Sequence, residues 1–169
     1  MNLHKDKEVF NIAIINTSKF FKVPLAIIEK DYYVTLFLKE LAKKVPDLIF
    51  KGGTCLSKCF KLIDRFSEDI DITLHPDKQT QSKKKHLKQT IKDICNELQL
   101  SLLNEEETRS RRDYNCYKID YFSKYTNLSV KQNLLVETTF LSDVFETEIK
   151  QGSSLIYDYF KRTAVMCNC

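Results

Sequence analysis

Residues 50–73 read FKGGTCLSKCFKLIDRFSEDIDIT, and this segment sets the arrangement of the chain around it. Its first residue ends a short apolar run, 48–50, which predicts a buried strand that stops at the Gly52-Gly53 turn. Apolar residues at helical spacing follow and predict a helix over 54–64. The segment ends in alternating acidic and apolar residues, which predict a strand over 69–75. A strand, a glycine turn, a helix and a second strand therefore follow one another without interruption.

The second of these strands carries two acidic residues on one face. Asp69 and Asp71 lie two positions apart, so their side chains point the same way, about 7 Å apart along the strand. Ile70 and Ile72 point to the other face and are predicted to enter the core. Two neighbouring carboxylates repel each other, so we expect a divalent cation between them, with magnesium the natural candidate. The alternative is an exposed polar strand face, for which mixed charges are more typical than two acids.

The glycine turn adds a second functional signal. Gly52 and Gly53 allow the backbone to approach a ligand closely. The helix that follows, with Thr54 as its predicted N-cap, offers free backbone amides that suit a phosphate. Turns use Gly-Gly pairs constantly, so the pair alone is weak evidence for a ligand site.

Glu137 is the third acidic candidate. It lies among apolar residues in a predicted strand over 133–141. A carboxylate buried in a central strand is costly unless it is paired or bound to a metal. If this strand lies beside the strand of Asp69, Glu137 becomes a third metal ligand. The alternative, an edge strand with Glu137 facing solvent, stays open from the pattern alone.

The rest of the chain predicts further helices and strands. Apolar periodicity indicates helices over 9–21, 25–44, 78–98 and 155–160, and strands over 98–103 and 114–122. The order of these elements predicts an α+β fold, in which helices flank a mixed β-sheet. We expect an N-terminal helical segment, 1–46, to pack on a catalytic core over 47–169.

Composition restricts the class of protein. Apolar residues make up 43% and charged residues 30% of the chain, as is typical of globular proteins. The sequence shows neither a membrane-length apolar run nor a signal peptide, which predicts a cytoplasmic protein without a membrane partner. The net charge of +4 permits an anionic partner such as a nucleotide or RNA. The six cysteines include no CxxC pair, so we expect reduced thiols rather than a zinc site.

The glycine turn and the Asp-x-Asp strand resemble the pattern of the DNA-polymerase-beta-like nucleotidyltransferase superfamily. KGGTCLSK at 51–58 and RFSEDIDI at 65–72 are similar to the more specific motifs of its AbiEii/AbiGii toxin family. EKDYYVTLFL at 29–38 and LVET at 135–138 also resemble that family, so the likeness spans about residues 24–141. Members of the family continue into a helical C-terminal region that carries a lysine and an aspartate of the active cleft. We expect this chain to lack that region.

The resemblance implies a nucleotidyltransferase fold and a metal-dependent transfer of NMP from an NTP to an acceptor, either a tRNA 3′ end or a protein. It also implies a toxin of a toxin–antitoxin or abortive-infection system, with a cognate antitoxin protein as partner and RNA as a possible acceptor. The alternative is a truncated, non-catalytic nucleotide- or RNA-binding module of the same fold.

The resemblance further implies roles for individual residues. Asp69 and Asp71 would hold two Mg²⁺ ions about 4 Å apart, and Glu137 would hold the ion that activates the acceptor hydroxyl. The nucleotide is expected to contact five residues of the two motifs: Gly52, Gly53, Thr54, Lys58 and Arg65. For Lys58 a solvated helix face stays open as the alternative.

Overall fold

A mixed sheet lies at the centre of the fold. The computed structural model describes residues 2–63, 67–125, 130–140 and 146–164. Within these residues the strands are β1 (Leu48–Lys51), β2 (Asp69–Leu74), β3 (Ser101–Leu102), β4 (Tyr114–Asp120) and β5 (Asn133–Thr139). They form one five-stranded sheet in the order β1-β2-β5-β4-β3. The β2–β5 pair is parallel and the other pairs are antiparallel.

Helices surround this sheet. They are α1 (Lys7–Phe21), α2 (Leu25–Lys44), α3 (Gly52–Cys55), α4 (Gln81–Leu98) and α5 (Leu155–Ala164), and a π-helix (Leu56–Phe60) continues α3. The side chain of Asp6 caps α1 by accepting from the Val9 amide at 3.1 Å. Lys22 and Gln99, both in the left-handed backbone region, end α1 and α4.

The core lies between the sheet and α2, which also packs against α1, α4 and α5. Ile70, Ile72 and Leu74 on β2 are at most 1% exposed, as the alternation of the strand predicts. Val34 and Phe37 of α2 are fully buried opposite them. Each such aliphatic or aromatic side chain contributes about 1.5–3 kcal/mol by leaving water. The predicted α+β class, with a mixed sheet flanked by helices and preceded by N-terminal helices, is confirmed.

Three predicted element bounds were wrong. The helix predicted over 54–64 begins at Gly52 with Lys51 in the N-cap position, so Thr54 does not cap it. The helix also changes to the π form and ends where Lys61 adopts a left-handed conformation. The helix predicted over 78–98 begins at Gln81, because a 3₁₀ turn intervenes and Thr80 supplies the cap.

The strand predicted over 98–103 is the third discrepancy, since only Ser101–Leu102 pairs with β4. The helix α4 takes up Leu98, and the left-handed turn at Gln99 follows it. Residue 141, the predicted end of the strand that contains Glu137, lies outside the described residues. The division of the chain at residue 46 stays a prediction.

None of the helices in the described segments is, by itself, both long and apolar enough to cross a membrane; α1 and α2 meet that test only as a pair, and they are bent by 114° at their junction.

Buried charge also organises the fold. Glu29 on α2 is 3% exposed. Its carboxylate accepts hydrogen bonds from the Ser123 hydroxyl at 2.6 Å and from the backbone amides of Lys124 and Tyr125 at 3.1 and 3.2 Å. This single side chain therefore fixes the turn that follows β4.

We expect Glu29→Ala to lower the free energy of unfolding by about 2–3 kcal/mol, because three partly buried donors lose their acceptor. Urea denaturation followed by circular dichroism measures this change. Glu106→Ala, which removes an exposed carboxylate, is the matched control and should stay close to wild type. Equal losses in the two variants would contradict the role assigned to Glu29.

Candidate active site

The β2–β5 pairing brings the three acidic candidates to one region of the sheet. Its parallel register sets Asp71 opposite Glu137 and Asp69 opposite Leu135. Neighbouring strands lie about 4.8 Å apart, so Asp71 and Glu137 are adjacent. Both are half-buried, as is Asp69, and they share the face turned away from the core. Because β5 lies between β2 and β4, the edge-strand alternative for Glu137 is excluded.

The electrostatics of this region disfavour its negative charge. Burial raises the pKa of Asp71, and the neighbouring carboxylates of Glu137 and Asp69 raise it further. Lys51, which pairs with Asp71 across β1 and β2, acts in the opposite direction but more weakly. A bound cation would relieve this repulsion.

The glycine turn packs directly against Asp71. Gly52 has a φ of +75°, a conformation that L side chains rarely adopt. A Cβ atom at this position would lie 2.8 Å from Cγ of Asp71 and would overlap its Oδ2. Glycine is therefore required at residue 52 both by the backbone and by the acidic side chain beside it.

Gly52→Ala should therefore reduce the free energy of unfolding by about 2 kcal/mol and displace the Asp71 carboxylate. Gly152→Ala is the matched control, because its Cβ would meet only Cys59 Sγ, at an ordinary 3.4 Å. Urea denaturation of both variants makes the comparison. A Gly52→Ala protein as stable as the Gly152→Ala protein would contradict the packing described.

Thr54 serves the protein interior. It is fully buried, and its hydroxyl donates to the backbone carbonyl of Asp69 at 2.5 Å and lies 2.9 Å from Ser67 Oγ. These bonds join the two sequence motifs and hold the glycine turn against β2. The Thr54 hydroxyl is thus engaged with protein groups rather than directed to solvent.

Lys58 is also buried, which excludes the solvated helix face. Its ammonium forms an ion pair with Asp31 of α2 and donates to Thr35 Oγ1 at 2.8 Å. The second Asp31 oxygen accepts from the Leu155 amide at 2.7 Å, at the start of α5. The structure therefore shows the Lys58 ammonium in contact with α2, and its contact with phosphate stays a prediction. Arg65 lies outside the described residues.

Two residues of β4 lie on the other side of Glu137. Cys116 is its direct partner in the antiparallel register, and Tyr114 lies two positions away on the same face. Burial, and then the Glu137 charge, raise the pKa of Tyr114 to about 12. The same two causes raise the pKa of Cys116. Period-two alternation along 114–122 could have identified both neighbours, once the strand order was known.

The carboxylates share a surface without yet forming a closed cage. Among the described residues, no three His, Cys, Asp or Glu side chains already converge closely enough to hold a metal ion. Asp69 instead pairs with the ammonium of Lys131, with 3.3 Å between Lys131 Nζ and Asp69 Oδ2. Sequence reasoning missed Lys131 because this contact crosses from the segment before β5 to β2.

The raised pKa of Asp71 has a consequence for stability. Its pKa in the folded protein lies above the ordinary 3.8, so its charge destabilises the folded state at neutral pH. Asp71→Asn should therefore raise the Tm of the metal-free protein at neutral pH. The gain should fade with acidification and vanish below the ordinary pKa, where Asp71 is protonated in both the folded and unfolded states.

Thermal melts in EDTA across this pH range provide the test. Asp77→Asn is the control, because the pKa of the exposed Asp77 is lowered rather than raised. The largest cause of that lowering is its hydrogen bond with His75. That variant should show no gain. A lower Tm for Asp71→Asn at neutral pH would refute the repulsion described.

Comparison with known proteins agrees with the fold and with the motifs. A family model described as "Nucleotidyl transferase AbiEii toxin, Type IV TA system" matches residues 36–167. The matched range contains the glycine turn and all three acidic residues. Comparisons with curated proteins and with solved structures gave no significant match. The resemblance noted in the sequence is confirmed, and the chain belongs to the AbiEii family, the nucleotidyl transferase toxins of type IV toxin–antitoxin systems.

Proposed function

We propose that this chain transfers a nucleoside monophosphate from an NTP to an acceptor hydroxyl and releases pyrophosphate, with magnesium held by Asp69, Asp71 and Glu137. The observation that carries the proposal is the register of the two parallel strands, which sets Asp71 beside Glu137 and against the turn at Gly52. Family membership supports the reaction class.

The residues present fit a hard divalent cation. Carboxylate oxygens are the ligands that magnesium prefers. Burial first, and then the charges of Glu137 and Asp69, raise the pKa of Asp71, so a cation bound beside these carboxylates would be stabilised. When bound, magnesium would neutralise the reacting phosphates and acidify the acceptor hydroxyl. Asp69 and Asp71 would hold both ions, and Glu137 would hold the one nearer the acceptor.

The protein contributes mainly positioning. The backbone amides of Gly52 and Gly53 would bind triphosphate oxygens, since glycine has no side chain of its own to hinder close approach to the backbone. The Thr54 hydroxyl holds this turn on β2, and the Thr54 amide, in the first turn of α3, would donate to the phosphate. Contact of Lys58 with phosphate would require its pair with Asp31 to open. Arg65 is a phosphate ligand in this proposal on the strength of its motif.

The acceptor is proposed from the family resemblance: a tRNA 3′ end, or a protein hydroxyl. The function as a toxin that a cognate antitoxin counteracts follows the family. A cytoplasmic location, in which NTPs and magnesium are abundant, belongs to the same proposal.

A second candidate is a module that binds nucleotide or RNA without turnover. Two observations favour it: Asp69 is paired with Lys131, and the carboxylates in the described residues do not yet converge on one point. Both candidates predict nucleotide binding, and only the first predicts pyrophosphate release.

Release of labelled pyrophosphate from each NTP, with magnesium and total RNA, separates the two. Wild type should release it, and Asp71→Ala should lose about a thousandfold or more, because metal binding provides several kcal/mol of transition-state stabilisation. Asp77→Asn, which removes an exposed charge just beyond β2, should retain activity. No release by wild type, with fluorescent-nucleotide binding intact, would refute the enzyme and support the binding module.

A further inference from the structure

Lys131 is the cation nearest to a proposed metal ligand in the described residues. Its Nζ lies 3.4 Å from Asp69 Oδ1 and 3.3 Å from Asp69 Oδ2, so the ammonium spans both oxygens. The Lys131 side chain is 55% exposed and that of Asp69 is 33% exposed. The ion pair is therefore open to solvent and to ligands.

The backbone of Lys131, unlike its side chain, is anchored by buried charge. Lys30 on α2 is 0% exposed and donates to the carbonyl oxygen of Lys131 at 2.8 Å. Lys30 also forms an ion pair with Glu68, whose carboxylate accepts from the Lys131 amide at 3.2 Å. The segment before β5 is thus fixed beside the start of β2, while the four-carbon stem of Lys131 can pivot.

The two cations have the same target. An ammonium and a divalent ion compete for the Asp69 oxygens, since each position beside a carboxylate holds one cation at contact distance. Once Asp69 binds a divalent ion, like-charge repulsion acts on the Lys131 ammonium. The fixed backbone keeps that ammonium close to the carboxylates, where the phosphates of a bound nucleotide would lie within its reach.

We propose that Lys131 couples metal binding to nucleotide binding. Its ammonium neutralises Asp69 in the metal-free protein, leaves that carboxylate when a divalent cation is bound, and then contacts the phosphates of the NTP. Lys131 thereby weakens binding of the metal alone and strengthens binding of the metal with nucleotide. This inference rests on the proposed function and assigns to it a substrate-positioning residue.

The test is Mn²⁺ binding, measured from the electron paramagnetic resonance signal of the free ion. The titration is made with and without a non-hydrolysable NTP analogue. Lys131→Gln should bind Mn²⁺ about five- to tenfold more tightly without nucleotide, because the competing charge is gone. The same variant should bind the analogue about tenfold more weakly in the presence of Mn²⁺. Lys131→Arg should resemble wild type in both measurements.

Lys118→Gln is the matched control. Lys118 is an exposed lysine on β4. It is opposite Leu135 of β5, and Leu135 is in turn opposite Asp69 of β2, so one strand separates Lys118 from Asp69. The control has the same net charge as Lys131→Gln and should change Mn²⁺ affinity less than twofold, since screening by water weakens charges that are not in contact.

The outcomes separate the two proposals. Equal Mn²⁺ affinity in wild type and Lys131→Gln, or an equal change in Lys118→Gln, would overturn the role of Lys131 and leave the metal site standing. Absence of Mn²⁺ binding in all four proteins would overturn the metal site and this inference together. Circular dichroism spectra establish that each variant is folded.

Discussion

Repulsion between carboxylates on two parallel strands is the constraint on which the rest of the site depends. Pairing of β2 with β5 sets Asp71 against Glu137, in the one parallel register of the described sheet. The isoleucines of β2 bury the opposite face, so a slip of one residue would send the acids into the core. The core that stabilises the sheet therefore also fixes the acidic face, and the folded protein bears a cost in charge repulsion that a bound cation would reduce.

Three consecutive charged residues of α2 hold the surrounding segments in place. Glu29 fixes the turn after β4, Lys30 fixes the segment before β5, and Asp31 joins the π-helix to the start of α5. Each is buried; Lys30 and Asp31 form ion pairs, and Glu29 accepts hydrogen bonds from a hydroxyl and two backbone amides. From the core side of the sheet, α2 thus holds in place the segments that surround the acidic residues.

The sequence alone predicted those features that depend on local pattern. Alternation predicted the buried isoleucines of β2 and the shared face of Asp69 and Asp71. The neighbourhood of Glu137 depended on strand order, which the pattern left open and the structure supplied. Contacts between residues far apart in the chain were not predictable: Lys131 reaches Asp69, and Lys58 reaches Asp31 instead of solvent. For Lys58 the sequence predicted contact with the nucleotide and left a solvated helix face open, because no local signal distinguishes a paired lysine from a solvated one.

The same limits apply to local conformation. A helix over 54–64 was predicted from spacing, but spacing is insensitive to a change from α to π hydrogen bonding.

The measurement that bears most closely on the proposed metal site is X-ray diffraction at the manganese absorption edge from crystals soaked in Mn²⁺. If these crystals contain the proposed site, anomalous density should appear between the carboxylates of Asp69, Asp71 and Glu137. Ordered carboxylates with no anomalous peak between them, at a Mn²⁺ concentration that saturates other sites in the crystal, would contradict the proposal.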